Sequence, residues 1–328
     1  MTPSTEVEGT AIFPTFERIG RDPRKYKVGF MDKAGGRVVA PVFDSARPFR
    51  CGLASVKKGE KWGAVDGEGS LAIQPVSDLP LRIGEDRAVF QVDGKRGVMD
   101  LEGRIVLEPK YRTVGEFHEG VAWMSLGGLY GFIASNGDEL IAPFYEDARS
   151  FSEGVAPVKL GGKWGFINKS LEFEIPLQFE FALPFSEGLA RVQRDGLWGY
   201  IERSGEYAIP VQYQAAREFH EGLAEVQIKD RWGYINPSGA IVVRPAYRYA
   251  GEFIEGLAAV EPYDEPSKHI GFINPTGAYV IAPRYEMVGS FRHGLCFVEL
   301  ADEVAYINQV GSVVWRGPFV DVGRVSEL

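Results

Sequence analysis

The groups from which a catalytic or metal-binding site could be assembled are few: four histidines, two cysteines and 45 acidic side chains. A zinc site needs three or four His, Cys or carboxylate ligands, most simply with two histidines one helical turn apart, as in HExxH. His118 and His220 instead stand in matching local contexts, each before Glu-Gly, while His269 and His293 are separate again. Apart from Cys296, three residues after His293, no second histidine or cysteine lies near any of them, and no tetrahedral set is complete. Cys51 and Cys296 are far apart, form no CxxC knuckle, and read as two buried small apolar groups. There is no GxSxG elbow, no phosphate-binding GxxxxGK[ST] and no GxGxxG; Gly127-Gly128 reads as a hairpin turn, and the sequon Asn168-Lys169-Ser170 as incidental. The expectation is a non-enzymatic protein with no catalytic residue, no metal and no cofactor.

Charge and aromatic placement leave binding as the remaining chemistry. Five identical carboxylates recur at a constant step, Glu119, Glu153, Glu187, Glu221 and Glu255, each followed by glycine. At a spacing of about 10 Å, like charges in water repel by only about 0.4 kcal/mol per adjacent pair, so an acidic ladder is tolerable. It either accepts hydrogen bonds from local turn amides or presents a stripe to a basic partner. At the other end of the chain, residues 17 to 50 carry nine basic and four acidic side chains, a net +5 against −14 for the remainder. That segment reads as a charged, solvated terminal cap, with a site for an anionic partner as the alternative. Candidate partner-binding residues are Trp123, Glu187, Glu221, His220, Tyr263 and Asp264. Trp123 stands at a strand position that is Pro157, Arg191 or Glu225 in equivalent segments, and aromatic anchors are common binding hot spots.

These residues belong to a strongly periodic chain. Of 328 residues, 40 are glycine and 20 proline, well above ordinary usage but without a collagen triplet. Gly29, Gly63, Gly97, Gly131, Gly165, Gly199 and Gly233 are each 34 residues apart, Gly271 follows after 38, and Ala305 after 34. Nine copies result. Two residues after this position the chain is always apolar, and six after it stands a second glycine, with Leu171 the exception. Fourteen after it comes an aromatic in all but Ser77, and twenty after it a phenylalanine in all but Ile83 and Val325. The run Lys163-Trp164-Gly165-Phe166-Ile167-Asn168 predicts a strand, Asn236-Pro237-Ser238-Gly239 a hairpin turn, Ala240-Ile241-Val242-Val243 a second strand ending at Pro245, and Leu223-Ala224-Glu225-Val226 a third. Between the second and third, the spacing Tyr213, Ala216, Phe219 predicts a turn or one helical turn. The glycine beside each tryptophan predicts a close approach, by an aromatic of the adjoining repeat, to the bare backbone.

The pairs Trp62-Gly63, Trp164-Gly165, Trp198-Gly199 and Trp232-Gly233, with the following Gly, Pro and Glu-Gly-Leu-Ala elements such as Glu187-Gly188-Leu189-Ala190, resemble the bacterial WG repeat family, also called KWG repeats. The tryptophan position is Val28, Arg96, Tyr130, Ile270 and Val304 in the other copies, and the second copy is worn at Asp86-Arg87. The resemblance implies a β-rich binding or scaffold element with no shared catalytic residues. The expected fold is all-β: tandem three-stranded antiparallel meanders of 34 residues stacked as an open, curved array, with residues 1–28 an N-terminal cap holding one spare strand and residues 29–328 nine repeats. A loop inserted near 261–268 is expected to project. A closed β-propeller is the alternative; nine blades would exceed the usual four to eight.

Net charge −9 disfavours a general nucleic-acid binder. With no apolar run long enough to span a membrane and no basic-then-apolar leader, a cytoplasmic location is expected. The expected partner is another protein, with no nucleic acid and no membrane. An immunity or chaperone-like partner of a bacterial toxin is the specific form, and a ligand-binding or enzymatic site on the concave face the alternative.

Overall fold

The computed structural model describes residues 12–19, 25–266, 268–300 and 303–318. Residues 1–11 and 20–24 of the expected N-terminal cap, residue 267 of the inserted loop, and Val325 lie outside them. Every regular element among the described residues is a strand, and they form one sheet of three strands, six of four and one of seven, all antiparallel meanders. No sheet closes on itself.

The period-two alternation of Lys163–Asn168 makes it a strand, and its partners define the unit. It pairs with Val155–Leu160 on one side and Phe173–Phe179 on the other. The fourth member, Asp147–Ala148, adds beyond Val155–Leu160. Two expectations change here. The aromatic-small-Phe segment, expected as a turn or one helical turn, adds a short strand, of two residues in copies such as Asp147–Ala148 and Ala215–Ala216 and of six in Ser45–Arg50 and Phe181–Ser186, so most of the meanders have a fourth strand. The sheet is also half a period out of phase with the sequence repeat: the copy from Gly165 to Trp198 supplies two strands to one sheet and two to the next. The N-terminal Ile12–Arg18 pairs with Tyr26–Asp32 on the side where the Glu-Gly-Leu-Ala strand sits elsewhere, so it stands in for that strand and not for a second one. Near the four-residue insertion, Ile241–Ala250 runs unbroken as the last strand of one meander and the first of the next, which produces the seven-stranded sheet.

Alternating apolar residues leave each sheet with two buried faces, and successive sheets use opposite ones. Trp164, Phe166, Ile175 and Phe179 of one sheet pack against Ala182, Phe185, Ala190, Val192 and Ile201 of the next. The pattern recurs with Tyr200, Ile209 and Tyr213 against Ala216, Phe219, Ala224 and Val226, and with Val98 and Tyr111 against Phe117, Ala122 and Met124. Phe49, Phe185, Phe219, Phe253 and Phe291, each twenty positions after the glycine, meet a ring of the preceding sheet, with Phe166 to Phe185 at 5.2 Å and Tyr234 to Phe253 at 4.8 Å. Tilted and edge-on pairs of this kind contribute about 0.5–1.5 kcal/mol each beyond area burial.

The chain divides into two compact units. Of the described residues, the first holds 12–144, 303, 304 and 314–318, and the second 145–300 and 305–313. In the first unit the carbonyl of Val314 lies 3.2 Å from where a Cβ on Gly35 would stand, so Val314 adjoins the turn of the N-terminal sheet. Basic residues of the N-terminal segment are paired there: Lys27 with Asp44 at 2.5 Å, Arg37 with Glu17 at 3.0 Å and Arg50 with Glu116 at 3.0 Å.

The glycine beside tryptophan has a different cause from the one expected. Trp164 pairs with Phe179 and Phe166 with Ile175, so the fourth strand carries a bulge opposite Gly165. A Cβ on Gly165 would lie 2.6 Å from the Ile175 carbonyl oxygen and 2.8 Å from the Pro176 carbonyl carbon. Its neighbour is backbone of the same sheet. Pro176 fits the bulge because it has no N–H to place. The second glycine has the other use. At this turn position glycines take positive φ, as Gly205 does at 84°, and Leu171 is held there at 65°.

Leu171→Gly is therefore expected to stabilise the fold by about 1 kcal/mol, read from urea unfolding. Gly165→Ala should destabilise it by several-fold more than Gly188→Ala, where φ is 81° but nothing stands within 4 Å of the added Cβ; equal losses would show that backbone approach at Gly165 is unimportant.

Candidate binding surface

The acidic ladder resolves first. Glu187 and Gly188 both have positive φ, 52° and 81°, as the two central residues of a tight hairpin turn. The carboxylate does not close its own turn. It reaches one repeat on: Glu187 accepts from Gly222 N–H at 2.9 Å, Glu221 from Gly256 at 2.9 Å, Glu255 from Gly294 at 2.8 Å and Glu153 from Gly188 at 3.2 Å. Glu85 belongs to the same series, accepting from Glu119 N–H at 2.6 Å and Gly120 at 3.0 Å, although its worn copy hid it in the sequence. Cys51 and His293 occupy equivalent positions, again with positive φ. Cys51 is thus exposed, contrary to expectation, because a turn tip faces solvent; Cys296 is buried.

Positions fixed across the repeats are consumed by turns, bulges and sheet faces. The variable ones collect at a cross-strand pair on each sheet, joined by a backbone hydrogen bond from the N–H of one to the carbonyl of the other: Gly115 to Trp123, Arg149 to Pro157, Arg217 to Glu225, Gly251 to Ala259 and Gly289 to Phe297. Trp123 is half-buried, its indole lies directly over the bare Gly115, and its ring stands 5.7 Å from that of Tyr130.

In the second unit this pair carries charge laid on aromatic rings. The Arg149 guanidinium lies 5.2 Å from the Trp164 ring and 5.8 Å from that of Phe181, with Asp147 at 2.6 Å. Arg191 lies 5.7 Å from Trp198, donates to the Ala216 carbonyl and pairs with Glu218 at 2.6 Å. Arg217 lies 5.3 Å from Trp232 and 5.8 Å from Tyr249. Glu225 is only 1% exposed and its Oε1 has no hydrogen-bond partner, nor has Nε of Arg191. Burial pushes the Glu225 carboxyl up to about 7; Arg217 opposes the shift, while Glu252 and Glu218 add to it. Burial likewise raises the Tyr200 and Tyr234 phenols, whose hydroxyls donate to the carbonyls of Arg217 at 2.6 Å and Gly251 at 2.7 Å.

Of the sequence-derived candidates, His220 stands beside this group and pairs with Glu252 at 3.0 Å. Glu187 and Glu221 are occupied by the turn caps. Tyr263 and Asp264 sit on the inserted loop, which is held back rather than projecting: Arg231 lies 4.5 Å from the Tyr263 ring and contacts both Asp264 oxygens at 3.0 and 3.1 Å, and Arg248 donates to the Tyr263 carbonyl at 2.9 Å. Trp123 belongs to the other unit. The arginine-aromatic strip was missed because Arg149, Arg191 and Arg217 occupy two different repeat positions, and only cross-strand pairing aligns them. Among the described residues no group of three His, Cys, Asp or Glu side chains is placed to hold a metal ion.

The WG containing repeat matches the chain over residues 29–62, 97–130, 130–164, 164–198, 198–232, 232–261 and 270–302. The chain belongs to the WG-repeat family. The worn copy between 63 and 96 is the internal gap in that match, apart from the inserted loop. No curated protein matches this WG-repeat protein. Among solved structures it is similar to a eukaryotic initiation factor, at 12% identity and a TM-score of 0.63 over 93% of this chain and 95% of that one. This likeness concerns the fold alone. PorZ, an essential surface component of the type-IX secretion system of Porphyromonas gingivalis, shares 10% identity at a TM-score of 0.35 over 95% of this chain and 50% of that one.

The sign of the Glu225 shift sets a pH dependence. A carboxyl raised from its ordinary 4.5 to about 7 contributes stability that is full below 4.5 and is lost as pH rises through 7, because the folded state then holds a buried charge. Glu225→Gln should match the wild type in urea unfolding at pH 4 and exceed it by about 3 kcal/mol at pH 8; a constant difference across that range would contradict the assignment.

Proposed function

We propose that this WG-repeat protein is a non-enzymatic protein-binding module whose contact surface in the second unit is the strip around Arg149, Arg191 and Arg217. The observation that supports it is the placement of three guanidinium groups against Trp164, Trp198 and Trp232 at positions whose residue differs between copies. Tryptophan, tyrosine and arginine dominate the energetics of protein interfaces, where rigid planar groups lose little entropy on docking. An arginine stacked on a ring is already ordered, so less of its side-chain freedom is lost when a partner binds. The acidic ladder is the weaker candidate for the contact, since its carboxylates are engaged in turn caps. An immunity or chaperone-like role toward a secreted bacterial toxin is the specific form of this reading, and it rests on the repeat build alone.

A pull-down from the native host followed by mass spectrometry tests it. Wild type should retain a stoichiometric protein that Arg217→Ala loses by at least tenfold, with both proteins unfolding at similar temperatures. Loss instead in the double variant Glu187→Gln, Glu221→Gln, with Arg217→Ala unaffected, would move the contact to the ladder. Absence of any stoichiometric protein would overturn the reading.

A further inference from the structure

The third copy departs from its family in a way the fold does not require. Where four repeats place tryptophan before the glycine and four others an apolar residue or tyrosine, it places Arg96, which is half-buried. Its hydrogen bonds are two long ones, to Gln91 Oε1 at 3.4 Å and to the Val114 carbonyl at 3.5 Å. Arg96 pairs with Gln91 and Arg82 with Val89 of the strand between them, so both arginines stand on one face of the sheet, and burial together with the charge of Arg82 pushes the Arg96 pKa down. Arg82 is exposed. Among the described residues neither arginine forms an ion pair.

Asp93, at the exposed turn three residues before Arg96, and Glu108 pair with neither arginine, and the other carboxylates near them in the chain are committed elsewhere. Asp78 is held by Lys61 at 2.5 Å, Asp86 by Arg87 at 3.0 Å, Asp100 by Arg104 at 2.6 Å and Glu116 by Arg50 at 3.0 Å. Glu85 caps the amides of Glu119 and Gly120. A partly buried guanidinium is costly when uncompensated, and a second cation beside it adds to the cost. Every other arginine described above, with the exception of Arg217 beside buried Glu225, has a carboxylate in contact. The same position filled with tryptophan would remove the penalty and restore the sheet-to-sheet packing.

We propose that Arg82 and Arg96 form a binding site for an oxyanion, a carboxylate or phosphate group, in the first unit. The planar guanidinium of Arg96 presents paired N–H donors suited to such a group, and Arg82 supplies a second charge from the solvent side. The site is separate from the arginine-aromatic strip of the second unit and stands whether or not that strip binds a protein.

Titration calorimetry at low ionic strength, where exposed charges are little screened, with inorganic phosphate and with a hexaglutamate peptide as probes, tests it. Wild type should bind at least one of them saturably. Phosphate alone would identify a small free oxyanion; hexaglutamate alone would identify a carboxylate carried on a chain. Arg96→Trp, which installs the residue the fold uses elsewhere, and Arg82→Ser, at an exposed position, should each weaken binding about tenfold or more while neither variant lowers the unfolding temperature without ligand. No saturable binding of either probe, or equal binding by wild type and both variants, would overturn the proposal.

Discussion

The contact on which the architecture depends is between a glycine and a carbonyl. At Gly165 the backbone of the neighbouring strand comes so near that a Cβ would stand 2.6 Å from the Ile175 oxygen, and the same distance recurs at Gly199, Gly233 and Gly271. That approach lets the fourth strand bulge. Across the bulge, buried residues are four apart, Ile175 and Phe179, instead of two, and both reach the face that already carries Trp164 and Phe166. The next sheet packs on that face. Without the missing side chain the bulge would straighten, the aromatic would leave the core, and the proline between them would break a regular ladder.

The strands themselves were legible because their cues are local: β-branched and aromatic alternation, Asn-Pro-x-Gly turns, and apolar pairs ended by proline. Asn236 shows how fully such a turn is specified, with Oδ1 accepting from the Ser238 amide at 3.2 Å and the Ala240 amide at 3.0 Å. What sequence could not reveal was phase. Whether Ala216 to Phe219 ends one unit or begins the next is decided by pairing with Ala224–Ile228, a contact without a local signature. The reach of Glu187 to Gly222 was hidden for the same reason, since both readings of the carboxylate place it at a turn. Trp123 was legible as unusual, but its fit against Gly115 required the strands to be paired first.

Variation in this protein is consequently confined by geometry. A position that faces the bulge, the turn tip or the aromatic stack cannot change without a cost to two sheets. The cross-strand pair differs from copy to copy, Gly115 with Trp123 in one and Arg217 with Glu225 in another. Polar pairs have drawn in further groups, Glu218, Glu252 and His220, and left Glu225 buried with an oxygen unsatisfied. Such a site is tolerated where the surrounding packing over-determines the backbone, and it is where a uniform scaffold acquires individuality.

The half-period offset between copy and sheet has a genetic meaning. Because each copy contributes two strands to one sheet and two to the next, unequal recombination between any two equivalent points removes or adds one complete sheet and leaves every remaining one whole. The joint can fall anywhere in the period. A gene built this way can lengthen or shorten in single steps without producing an orphaned strand, and the family can vary its copy number as readily as its side chains.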